Sequence, residues 1–100
     1  MTSLRAEEDH VEDVEDFLAT RKELKHLRAR RRADAIIIES GPKAEPTPHA
    51  RLRRISVSRW SLDMPDHRGR WEPTPYAGLL KPLLTQLVDD FPWALASVDR

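Results

Sequence analysis

The chain has 100 residues, 39% of them apolar and 34% charged, with a mean hydropathy of -0.64, which fits one small domain with solvated parts and excludes a core deep enough to enclose a large substrate. Seventeen basic residues balance seventeen acidic ones, so attraction to nucleic acid or to acidic substrates has to come from local patches. With no cysteine there is no disulfide, thiolate metal site or Cys nucleophile; with no apolar leader after Met1 and no run of bilayer length, a cytoplasmic protein with no membrane contact is expected.

Glu7, Glu8, Asp9, Glu12, Asp13, Glu15 and Asp16 are followed, without Gly or Pro, by Arg21, Lys22, Lys25, Arg28, Arg30, Arg31 and Arg32. Acids first and bases last is the order that complements a helix dipole, so a long N-terminal helix is expected from about Ser3, a candidate N-cap, to Asp34. Such a helix would be a rod of roughly 45 Å. Its apolar positions drift: Val11, Val14 and Leu18 share one face, while Phe17, Leu24 and Leu27 centre about a third of a turn away by the ~100° rule. Ala35 to Glu39, with three successive isoleucines, reads as a short strand or as the end of that helix, the strand being favoured.

Pro42, Pro46 and Pro48 mark an extended connector. From Arg51 to Met64 the pattern is strand-like but changes phase, Ile55 and Val57 on one parity and Trp60, Leu62 and Met64 on the other, which a bulge near Ser58 and Arg59, or a strand covered on both faces, would reconcile. Pro65 to Gly69 supplies a turn, Arg70 to Glu72 a returning strand, and Pro73 and Pro75 its end. Leu80, Leu83, Leu84, Leu87, Val88 and Phe91 recur at helical spacing, with Pro82 in the first turn and Pro92 as the stop. Trp93, Ala94 and Leu95 are expected to fold back as a lid, leaving Asp99 and Arg100 frayed.

The expected fold class is therefore α+β: a long N-terminal helix, a Pro-containing connector, then a small β-hairpin with an amphipathic C-terminal helix. Residues 1–41 form the charge-segregated segment with the 35–39 strand, 42–50 the linker, and 51–100 the hairpin and helix unit.

Two functional expectations follow. The first is a small non-enzymatic accessory or regulatory protein, of bacterial type, acting through protein contacts. Its helix carries like-charged neighbours at i,i+4, which an antiparallel second copy would turn into complementary pairs. Val11, Val14, Leu18, Leu24, Leu27 and Arg28 are the candidate self-association residues of that homodimer.

The alternative is a nucleic-acid-binding regulator. Arg51, Arg53, Arg54, Arg59, Arg68 and Arg70 gather around Trp60, Trp71 and Tyr76, and Arg28 to Arg32 add a second basic tract. Asp63, Asp66 and Glu72 dilute that patch, and Trp60 and Trp71 read as core anchors. No catalytic set is recognisable: His10, His26, His49 and His67 lack metal-ligand spacing, and Ser56, Ser58 and Ser61 sit in no nucleophile elbow. No cofactor or metal is expected.

Overall fold

Ile36, Ile37 and Ile38 form the centre of a strand, as β-branched residues favour, and a sheet assembles around them. The computed structural model describes residues 4–96. Their elements are α1 (Glu8–Ala19), a 3-10 turn (Lys22–Leu24), β1 (Arg28–Arg32), β2 (Ala35–Ser40), β3 (Thr47–Arg54), β4 (Trp60–Pro65), β5 (Trp71–Gly78), α2 (Leu80–Asp90) and a second 3-10 turn (Pro92–Leu95). The five strands form one antiparallel meander in the order β1-β2-β3-β4-β5.

This architecture corrects the expectation of one hairpin with flanking helices; mixed α and β content is right. The long helix stops at Ala19, where Thr20 donates both its backbone N–H and its hydroxyl to the Phe17 carbonyl, at 3.2 and 2.7 Å. The drift of the apolar face is the physical reason. Val11, Val14 and Leu18 complete the helix's buried stripe, and the chain must turn to bring Leu24 and Leu27 under the same core. Strong helix propensity in the arginine run gives way to pairing with the buried isoleucine strand, Arg30 opposite Ile37 and Arg32 opposite Ala35. Ser3, Asp99 and Arg100 lie outside the described residues.

The Pro-containing segment does not stay a connector, because Thr47 to Ala50 pair with β2 as the first half of β3. The phase change before Trp60 is a hairpin loop, residues 55–59, between β3 and β4, in which Ile55 and Val57 are exposed. Pro73 and Pro75 do not end β5. It is an edge strand, where missing N–H groups are tolerated, and the Thr74 hydroxyl supplies a donor to the Leu62 carbonyl at 2.8 Å.

Strand alternation divides the sheet into two faces. Ile36, Ile38, Ala50, Leu52, Trp60 and Leu62 meet Val14 and Leu18 of α1, Leu83, Leu84 and Leu87 of α2, and Leu95 in one core. The opposite face has no helix over it. A bulge between Ile38 and Glu39 adds His49 to the buried side. There Ser40 Oγ lies 2.7 Å from His49 Nε2, and His49 Nδ1 lies 2.8 Å from the Ala94 carbonyl. A carbonyl only accepts, so Nδ1 carries a proton, and in the neutral ring Nε2 accepts from the serine hydroxyl. This clip holds the second 3-10 turn against β3. Leu95 is the lid residue, whereas Trp93, expected beside it, is 70% exposed.

Leu87→Ala is expected to lower stability by about 2–5 kcal/mol in urea denaturation, because it would open a cavity where α2 packs on the sheet; no change would contradict this packing. A fragment beginning at Pro48, without α1, β1 and β2, is expected to show no cooperative unfolding, since its core positions would face water.

Candidate functional site

The open face is built by alternation from β1 and β3. Arg28, Arg30 and Arg32 project from β1, and Arg51 and Arg53 from β3, with Ala35, Ile37 and Glu39 of β2 between the two rows. Although no helix covers them, Ala35 and Ile37 are buried. The aliphatic stems of arginines on neighbouring strands lie over such positions while their heads reach water.

Two carboxylates beneath the arginines order the face. Glu39, its side chain 5% exposed, accepts from Arg30 Nε at 3.1 Å and Arg28 Nε at 3.3 Å. Asp63, 1% exposed, accepts on Oδ2 from Arg51 Nε at 2.9 Å and Arg53 Nε at 3.2 Å. In each set a residue on one strand holds arginines at i and i+2 of its neighbour. The carboxylate takes the Nε edge, and the Nη groups of Arg30, Arg51 and Arg53 have no hydrogen-bond partner among the described residues. Arg28 differs, its Nη1 donating to the Gly41 carbonyl at 2.6 Å. Five arginines thus stand against two carboxylates.

Asp63, which the sequence suggests as a diluting charge, is instead the anchor of Arg51 and Arg53. Trp71, expected as a core anchor, is half-buried on this face with the Arg51 guanidinium over its ring, 5.1 Å from the centroid. Only Trp60 of that pair belongs to the core.

The remaining candidate residues lie elsewhere. Arg54 points to the helix side, where its Nε and Nη2 donate to the Val57 carbonyl and its Nη1 to the Arg5 carbonyl. Arg31 also reaches the helix side and meets Glu8 at 3.4 Å. Arg59 is exposed in the loop after β3, and Arg68 and Arg70 in the turn after β4, where Asp66 Oδ1 accepts both their backbone N–H groups at 2.8 Å. Val11, Val14, Leu18, Leu24 and Leu27 are buried in the chain's own core, so they offer no apolar surface to a second copy; Arg28 belongs to the open face.

The acids of α1 remain outside. Glu8, Asp9, Glu12, Asp13, Glu15 and Asp16 are exposed on the helix layer; Glu15 reaches the β1 edge beside Arg28 and Arg30, where it accepts the Ala29 N–H at 3.3 Å, and Glu8 meets Arg31. Sequence reasoning misses Glu39 and Asp63 as organisers and the joining of Arg30 and Arg32 to Arg51 and Arg53. The signal for it is the i,i+2 spacing of arginines in both tracts, which places them on one side only if both tracts are strands.

Among the described residues, no helix is long and apolar enough to cross a membrane and no cluster of three or more His, Asp or Glu could hold a metal ion. No family model, curated protein or solved structure matches the chain.

Asp63 Oδ1 is buried without a hydrogen-bond partner among the described residues, so this carboxylate depends on the two arginines at Oδ2. Replacing Arg51 and Arg53 together by Gln is expected to cost about 3–5 kcal/mol, and adding Asp63→Asn to recover most of it, as chemical denaturation of the variants would show. An Arg51, Arg53 double variant as stable as the parent would contradict the anchoring role.

Proposed function

We propose that the protein binds single-stranded nucleic acid on the open, arginine-covered face of its sheet. The observation that carries this reading is the preorganisation of the arginines. Glu39 and Asp63 fix their Nε edges, and the Nη groups of Arg30, Arg51 and Arg53, which make no hydrogen bond among the described residues, can donate to phosphate oxygens. Holding the side chains in advance lowers the entropy lost on binding. The exposed acids of α1 support the same reading, since they disfavour a polyanion on the helix layer. The role is regulatory or accessory rather than catalytic, in a cytoplasmic setting where nucleic acid is at hand.

A second reading, contact with a protein partner or a second copy, draws support from Trp93. It is 70% exposed and stacks edge-on against Phe91 at 5.6 Å, an aromatic of the kind that anchors interfaces. Light scattering would test the second copy: a dimer made monomeric by Trp93→Ser supports it, and a monomeric parent ends it.

Fluorescence anisotropy with a labelled single-stranded 12-mer tests the nucleic-acid reading. Binding at low salt is expected, falling steeply as salt rises because each neutralised phosphate releases counterions. Arg30→Gln with Arg32→Gln is expected to weaken it and to flatten the slope by about 0.7 for each phosphate the variant no longer neutralises. Neither change removes both arginines from a buried carboxylate, since Arg28 stays on Glu39. No binding by the parent at low salt would end the reading.

A further inference from the structure

Above Ala35 and Ile37 the open face contains a cleft of about 350 Å³, bounded by Arg32, Asp34, Arg51 and Trp71. Its origin is the pull of the two carboxylates in one direction. Arg28 and Arg30 reach from β1 onto β2 to meet Glu39, near one end of that strand, while Arg51 and Arg53 reach from β3 onto β4 to meet Asp63. The β3 arginines therefore lean away from β2, leaving a cleft at whose base Ala35 and Ile37 lie buried.

The cleft is chemically mixed. Its floor is apolar, one wall is an indole already stacked with a guanidinium, and Arg32 on the other side makes no ion pair among the described residues. A volume near the lower end of the ~300–1,000 Å³ typical of ligand pockets suits one planar ring system with its sugar.

We infer that this cleft takes an unstacked nucleobase of the bound strand, with Trp71 as its stacking platform and Arg32 on the adjoining phosphate. The inference rests on the nucleic-acid reading and sharpens it. A duplex keeps its bases paired and stacked, and would offer this face only phosphates; a single strand offers bases that extend the alternating pile of Arg51 and Trp71. An apolar floor with an aromatic wall favours a π-face of any base, so the preference is for single-strandedness over sequence.

The test compares a single-stranded DNA 12-mer with an abasic deoxyribose-phosphate 12-mer of equal charge, using the full chain. The base-bearing strand is expected to bind about ten-fold more tightly or better, the effect of one base–aromatic stack. Trp71→Ala is expected to remove that preference for the base-bearing strand, whereas Trp71→Phe keeps most of it. Should Trp71→Ala fold poorly, Trp93→Phe supplies a second measurement. In that variant the remaining exposed indole is Trp71, Trp60 being buried, and its emission is expected to be quenched as the strand saturates. Equal binding of the two strands by the parent, or binding without quenching, would overturn the base cleft while leaving phosphate binding in place. Failure of both strands to bind would overturn the nucleic-acid reading itself.

Discussion

The burial of Glu39 and Asp63 beneath pairs of arginines is the interaction on which the open face depends. A carboxylate withdrawn from water is tolerated only with charge partners and hydrogen bonds, and here each is met by two guanidinium Nε groups. The arginines are constrained in return: in water a guanidinium on a free chain samples many rotamers, whereas these are tied at one edge. The same pairing that meets the carboxylates within the layer engages the Nε edges and leaves the Nη groups of Arg30, Arg51 and Arg53 without a hydrogen bond among the described residues. Stability and binding geometry thus share one cause.

The sheet supplies the frame for that interaction. Its alternation sends Ile36, Ile38, Leu52 and Leu62 to one side, where α1 and α2 cover them, and the arginines to the other. Both edges are guarded against pairing with another sheet: β5 carries Pro73 and Pro75, and on β1 the Ala29 N–H donates to a carboxylate oxygen of Glu15, at 3.3 Å. With the edges blunted and one face filled by helices, the arginine face is the broad sheet surface that no helix covers among the described residues. Zero net charge hides this arrangement, because the arginines of the open face are balanced in the total by acids elsewhere, those of α1 among them.

Much of the fold is legible in the sequence wherever local chemistry and tertiary packing agree. The α2 helix, the Pro65 to Gly69 turn and the isoleucine strand are of that kind. The arginine tract from Arg28 to Arg32 is not. Its residues favour helix in isolation, and only pairing with Ile36 to Ile38, which needs the whole sheet, makes it a strand. The drift of the apolar face between Leu18 and Leu24 is the visible sign of the break, but it also fits a crossed helix pair. With the first tract read as helix, Arg30 and Arg32 cannot share a face with Arg51 and Arg53. Asp63 is hidden for a related reason: composition counts a carboxylate against a basic patch, whereas register places it underneath.

The most direct measurement is nuclear magnetic resonance on protein labelled at arginine and tryptophan side-chain nitrogens, titrated with a short single strand at low salt. Binding on the open face predicts saturating shifts at the Nε–H groups of Arg30, Arg32, Arg51 and Arg53 and at the Trp71 indole N–H, with Arg54, Trp60 and the backbone of α1 unchanged. Shifts centred on Trp93 or on the α1 surface, with the open-face arginines still, would contradict it.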